Sequence, residues 1–234
     1  MKSKYKILLF LFVIFLTLTV LIKINIFSYK QVFKEDKLVP IRQGYNDKFI
    51  AFTCNVDWGT ENIPKMLDIF EKYNIKITFF VSGRWAKNNP DMLKLIYQKG
   101  HEIGNHGYAH KMHSKLDFDG NYKEIKKTHD IVKNILGIDM KYFAPPAGDF
   151  SDITLKAADS LGYKTILWNI DTIDWRKDST REKIIHRVLK KPLNASIVLM
   201  HPKEETIKAL EEIIKSIKSK DINIGSVSDV LKLD

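Results

Sequence analysis

From Lys48 to the C-terminus, short apolar runs alternate with longer segments whose apolar residues recur three and four positions apart. The runs are FIAFTCNV, KITFFVSG, HEIGNH, YFAPP, KTILWNID, SIVLMH and INIGSV. The longer segments carry helix punctuation. IPKMLDIFEKY places Pro64 near a first helical turn, where a missing amide hydrogen costs nothing. DMLKLIYQKG and NYKEIKKTHDIVKNILG end in Gly100 and Gly137, residues suited to a helix stop. DITLKAADSLG, STREKIIHRVLKK and KEETIKALEEIIKSIKSK complete the set. Seven strands alternating with six helices predict an α/β fold around a parallel sheet.

The N-terminus has a different pattern. MKSKYK precedes ILLFLFVIFLTLTVLI, residues 7–22, which has no charge. As a helix this run spans roughly 24 Å, and Lys6, Lys23 and the following INIF extend its reach. A cleaved signal peptide calls for small residues before a cleavage site, and none follows the run. The pattern therefore predicts an uncleaved membrane-anchor helix over residues 1–27, with Lys2, Lys4 and Lys6 holding the N-terminus inside. Residues 28–47, with Pro40 and Gly44, read as a linker. Residues 48–234 form the main domain, which the anchor would place outside the cytoplasmic membrane.

Charge changes this picture little. The net charge of +10 invites a nucleic-acid reading. Residues 1–47, however, hold eight Lys/Arg against three Asp/Glu, so half of the excess lies in about a fifth of the chain. The body is mildly basic and has no arginine-rich stripe interleaved with aromatics, which argues against a nucleic-acid partner. The single cysteine, Cys54, permits no internal disulfide and reads as a small buried strand residue.

Chemistry concentrates where strands end. In α/β folds the C-terminal strand edges carry the functional groups, and there lie Asn55 and Asp57, His106, Asp171 and Asp174, and His201. HEIGNHGYAH sets His106 and His110 four apart, a spacing at which two imidazoles can converge on a divalent cation. Alone, HxxxH is equally a pair of loop histidines. His201, closing SIVLMH, is placed for acid or base work or is simply a core-edge histidine. Asp171 and Asp174 orient a histidine or substrate, or cap a turn. His101 reads as structural, bonded to a backbone carbonyl. His113, His129 and His186 show no evident partners.

Taken together, the order of these motifs resembles the polysaccharide deacetylase family, the carbohydrate esterases that include chitin and peptidoglycan N-acetylglucosamine deacetylases. The resemblance covers residues 48–231. It is closest over ENIPKMLDIFEKYNIKITFFVSGRWAKNNPDMLKLIYQKGHEIGNHGYAH and continues through YFAPPAG, WNIDTIDW and IVLMHP. It implies a distorted (β/α) barrel of about seven strands. It also implies a divalent metal, Zn²⁺ or Co²⁺, held by an aspartate and two histidines, a second aspartate as general base, and a late histidine that protonates the departing amine. His106 and His110 match the metal histidines, and His201 the late histidine. Leu199 matches a residue packing on the acetyl methyl, with Pro145 beside the pocket. The implied substrate is an extracellular, N-acetylglucosamine-containing glycan of the cell wall.

The opening motif departs from the family. Where the family reads Thr-Phe-Asp-Asp-Gly, ungapped counting puts Asn55 at the base and Val56 at the metal ligand. Neither can do that work. Asp57 follows at once, and a bulge would let it serve as ligand or base. Ala144 replaces the arginine that orients the base, while Asp174 survives as a replacement base. Trp58 and Trp175, both following motif residues at strand ends, are expected to stack on sugar rings; Trp85 and Trp168 are expected to pack. Two functions follow: metal-dependent N-deacetylation, or glycan binding by a catalytically impaired relative.

Overall fold

A computed structural model describes residues 4, 12, 14–23 and 38–232. The chain divides into two compact units, Met1–Lys37 and Leu38–Asp234. In the first, the described helical stretch covers residues 14–23. This is roughly 15 Å of helix, about half the thickness of a hydrocarbon core. Among the described residues no helix is long and apolar enough to cross a membrane. The anchor helix expected over residues 1–27, and with it the membrane partner, is thereby corrected; the rest of that segment lies outside the described residues.

The second unit is an all-parallel sheet, as the alternation predicts, with eight strands where seven were expected. Its strands are β1 (Phe49–Val56), β2 (Thr78–Val81), β3 (Glu102–Asn105), β4 (Tyr142–Phe143), β5 (Lys164–Thr165), β6 (Ile170–Asp171), β7 (Ile197–Met200) and β8 (Asn223–Gly225). Their order is β5-β4-β3-β2-β1-β7-β6, and β8 pairs the first residues of β1. The run KTILWNID is two strands, β5 and β6, at opposite ends of this path. No helix separates them, so the sheet does not close by direct pairing. The chain before β1 fills the gap: Ile41 bridges Ile166 and Gln43 bridges Ser196. The structure is a half-barrel plugged by its own N-terminal segment.

Seven of the helices wrap this sheet in sequence order: α1 (Ile63–Lys72), α2 (Gly83–Asn88), α3 (Pro90–Gln98), α4 (Phe118–Leu136), α5 (Asp152–Ser160), α6 (Arg181–Leu189) and α7 (Glu204–Lys218). A short α8 (Val227–Leu231) follows β8. The periodic pattern does not reveal α2 and α8, because each is too short to show a repeat. Both are set by a serine cap: Ser82 Oγ accepts from Trp85 N, and Ser226 forms a capping box with Asp229.

Strand parity sorts the core. Ile50, Phe52, Cys54 and Val56 of β1 pack outward with Ile63, Met66 and Leu67 of α1. Ala51 belongs to the inner cluster with Phe80, Ala144, Ile197 and Val230. Successive side chains alternate faces, so Thr53 and Asn55 lie on the inner face with Ala51. Val56 is therefore buried in the helix layer behind the sheet, facing away from the barrel mouth. Cys54 is buried in the same layer, and burial pushes its thiol well above the usual range, as a structural cysteine requires.

Candidate functional site

The C-terminal ends of β1, β3, β4, β6 and β7 meet at one mouth of the half-barrel, because all strands run the same way. Each end contributes one part of the cleft.

The loop after β3 carries the two histidines. His106 is buried, and its amide donates to Val81 O at 3.0 Å. Its Nδ1 donates to the Ala144 carbonyl at 2.6 Å. Since a carbonyl only accepts, this fixes the tautomer and leaves Nε2 with a lone pair. Burial, reinforced by the neighbouring His110 charge, lowers the His106 pKa to about 3, so the ring is neutral near pH 7. His110 stands edge-on to it, ring centroids 5.2 Å apart. The loop between them is pinned on two sides. Glu124 of α4 accepts from Tyr108 N and Ala109 N, and Gly107 O and Tyr108 O accept the first amides of α2. Gly107 has φ 69° and approaches His113 so closely that a Cβ would sit 2.9 Å from Nε2, so only glycine fits.

The end of β1 supplies Asn55, Asp57 and Trp58. Asn55 is 4% exposed, and its Oδ1 accepts no hydrogen bond among the described residues. The Asp57 carboxylate is engaged by the start of α2. Its Oδ1 accepts from Ser82 Oγ at 2.6 Å and Arg84 Nε at 2.7 Å, and its Oδ2 pairs with Arg84 Nη2. Burial raises the Asp57 pKa, but the bonds from Arg84 and Ser82 and the Arg84 charge outweigh it, and the carboxyl is held below its ordinary range.

The ends of β6 and β7 meet in an aspartate–histidine pair. Asp174 is 1% exposed. Its Oδ1 accepts from His201 Nδ1 at 2.7 Å, and its Oδ2 from His201 N at 2.7 Å and Thr206 Oγ1 at 2.6 Å. Burial raises its pKa, but these donors more than offset it, so the carboxylate is ionised. Since an ionised carboxylate only accepts, the hydrogen of this bond sits on His201 Nδ1. Trp58 stacks on it, centroids 5.6 Å and planes 11° apart, and stays 40% exposed. Trp175 is 54% exposed. Leu199 is buried and pairs in register with Thr53, and Pro145 is buried at the end of β4. Trp85 is buried, with its indole bonded to Thr60, and Trp168 packs against the inner cluster.

The expected ligand set of Asp57, His106 and His110 is not drawn together. Among the described residues no group of three acidic, histidine or cysteine side chains stands within reach of one metal ion. A hydrolytic zinc takes three protein ligands, whereas here two imidazoles stand together and the carboxylate expected to join them is held by a guanidinium. As arranged, the donor set does not fit such an ion. Asp174, expected as a replacement base, has both oxygens occupied by His201 and Thr206.

Other histidines differ from expectation. His101 Nδ1 accepts from Ile77 N at 3.1 Å, so it bonds a backbone amide and not a carbonyl. His113 is buried, with Nδ1 bonded to Asn121 Oδ1 at 2.7 Å. His129 meets Tyr163 and Asp139. Ser82 and Arg84 are the site residues that the sequence reading missed. Ser82 lies at the end of the run KITFFVSG and Arg84 directly follows it, and a serine and an arginine after a buried strand were the available signal.

Comparison with known proteins places this architecture. Residues 42–166, more than half of the chain, match the family model for polysaccharide deacetylases. The chain is 39% identical over 193 residues to the uncharacterized protein YlxY of Bacillus subtilis (strain 168), covering 82% of this chain and 60% of that protein. It is 33% identical over 181 residues to a peptidoglycan-N-acetylglucosamine deacetylase of Bacillus cereus, covering 75% of this chain and 66% of that one. The chain thus spans about 60–66% of the length of these two relatives. Among solved structures, a wild-type CE4 family pseudoenzyme from Bacillus anthracis superposes with a TM-score of 0.80 at 36% identity, covering 83% of this chain and 69% of that one. In fold and in sequence, the chain belongs to the polysaccharide deacetylase family.

Proposed function

We propose that this protein recognises an N-acetylglucosamine-containing glycan of the cell wall, outside the cytoplasm, through a deacetylase-type cleft whose hydrolytic chemistry is disabled. The observation that carries this reading is the Asp57–Arg84 ion pair. It engages both oxygens of the carboxylate expected to join His106 and His110. Three substitutions support it: Asn55 cannot take a proton, Val56 lies behind the sheet, and Ala144 offers no guanidinium. What remains suits binding. Trp58 and Trp175 present exposed aromatic faces to sugar rings, Leu199 gives the cleft an apolar floor, and the His201–Asp174 pair offers a hydrogen bond. The similarity to the Bacillus anthracis pseudoenzyme agrees with a cleft that has lost turnover, and the Bacillus cereus relative, by its name, acts on peptidoglycan.

The test is a pair of measurements on the full chain with N-acetylglucosamine hexamer, one of binding by calorimetry and one of acetate release with Zn²⁺ or Co²⁺ added. Binding without acetate release is expected, and Trp58→Ala should weaken it. Release at a rate near that of the Bacillus cereus enzyme would overturn the reading. The second reading is deacetylation itself. It is favoured by the retained His106, His110 and His201–Asp174 arrangement, and acetate release is its signature.

A further inference from the structure

The aspartate–histidine pair of the cleft hangs on a turn that its residues do not favour. β6 pairs β7 with Asp171 beside Leu199, and Thr172 N extends the ladder by donating to Leu199 O at 3.2 Å. Were the strand to continue, each residue would advance it about 3.3 Å, and Asp174 would stand one step past His201. The chain turns at Ile173 instead, with φ 52°. That turn sets one carboxylate against both the amide and the ring of His201. Among the described residues, six non-glycine positions have positive φ: Asn74, His110, Ala147, Ile173, Ala195 and Asp221. Asparagine and aspartate tolerate this region, whereas a β-branched residue suits it least. Packing does not call for isoleucine here, because Ile173 belongs to neither hydrophobic cluster.

Three side chains hold the turn. Asp171 Oδ1 accepts from Ile173 N at 2.7 Å, and Ser179 Oγ donates to Ile173 O at 2.5 Å. Arg187 reaches in from α6. Its Nη1 donates to Thr172 O at 2.7 Å, to Ser179 Oγ at 2.8 Å and to Ile173 O at 3.4 Å. All three acceptors are neutral oxygens, so the guanidinium spends these bonds on the turn itself. A charged donor makes the stronger kind of hydrogen bond, and this one joins both carbonyls of the turn to the serine that supports it.

We propose that Arg187 is a positioning residue of the cleft: by pinning the left-handed turn at Ile173, it delivers Asp174 to His201. Without the guanidinium, relief of the backbone at Ile173 favours other conformations by about tenfold, and Asp174 withdraws. Glycine at position 173 would take the same φ without penalty and would not need the clamp. The part of Arg187 in glycan recognition rests on the reading given above; its part in placing His201 does not.

Four full-length proteins test this: the parent, Arg187→Gln, Ile173→Gly and the double variant, with circular dichroism to check each fold. Nuclear magnetic resonance of the imidazole nitrogens reads, with no ligand present, whether His201 keeps its proton on Nδ1. Calorimetry with N-acetylglucosamine hexamer reads recognition. Arg187→Gln is expected to lose the Nδ1 signature and about tenfold in hexamer affinity. Ile173→Gly is expected to keep both. The double variant is expected to regain the signature and to bind within about twofold of Ile173→Gly, a rescue that a merely structural arginine would not allow. If Arg187→Gln does not fold, Arg187→Lys, which keeps the charge and loses the planar fork, replaces it in both single and double form. An arginine variant that retains the Nδ1 signature overturns the proposal, as does a double variant as impaired as the single one. A parent that does not bind hexamer, with the nitrogen signatures as expected, overturns the glycan reading and supports the placement of His201 by Arg187.

Discussion

Arg84 holds the carboxylate of Asp57 with two nitrogens, one on each oxygen, while Ser82 Oγ adds a third donor at 2.6 Å. A cation placed between His106 and His110 would have to displace a guanidinium to recruit this carboxylate. Arg84→Ala removes the competitor and leaves Ser82 to orient Asp57. Zn²⁺ binding to the full chain, followed by calorimetry, is expected to tighten about tenfold or more, equivalent to about 1.4 kcal/mol. An unchanged affinity would show that Arg84 does not keep Asp57 from the histidines.

Asn55 and Ala144 stand where the family resemblance implies a base and the arginine that orients it. Among the described residues the buried Asn55 Oδ1 has no donor. Asn55→Asp alone buries an uncompensated charge and should destabilise the fold by about 3 kcal/mol. Adding Ala144→Arg supplies the counter-charge and should recover most of that loss, so the two changes are strongly non-additive in urea titrations. The double variant, and neither single one, is expected to gain measurable acetate release. Additive stabilities would mean that residues 55 and 144 do not face one another.

Much of this was legible in the sequence. The seven apolar runs and six periodic segments correspond to strands and helices, because long buried elements leave a periodic trace. The motif order located His106, His110 and His201 at strand ends. What stayed hidden depends on three-dimensional choices that spacing does not encode. KTILWNID is continuous in pattern, yet it breaks at Trp168 and Asn169, where Asn169 bonds Ile197 across the sheet. The inward or outward facing of Val56 followed from strand parity once the strand was set. The direction of Asp57 did not, since a residue beyond the strand end takes its orientation from whichever partner reaches it, here Arg84 from α2.

Asp174 is the structural pivot between β6, β7 and α7, with three donors on its two oxygens. Asp174→Asn replaces one acceptor by a donor and removes the charge, so at least one of the three bonds is lost and a buried donor is left without a partner. A destabilisation of about 2–4 kcal/mol is expected in urea, with Thr206→Val costing about 1 kcal/mol through its single bond. A variant as stable as the parent would show that His201 is positioned by something else.

His101 gives the fold an acid-labile point remote from the cleft. It lies edge-on to Phe70 and Phe79, and its Nδ1 must stay unprotonated to accept the Ile77 amide. Burial first, then the charges of Lys76 and Lys99, lower its pKa to about 4 from an ordinary value of 6.5. The unfolded chain therefore binds a proton that the folded chain refuses. Stability is complete above the ordinary value and is lost as pH falls below it toward 4, by about 2–3 kcal/mol for this residue. His106, held down to about 3 by burial, acts in the same direction. His101→Asn keeps an acceptor for Ile77 and removes the titration. The variant should be less stable than the parent near neutral pH and close that gap by about 2–3 kcal/mol as the buffer is taken to about pH 4.5. Parallel pH profiles for the two proteins would show that His101 titrates normally in the fold.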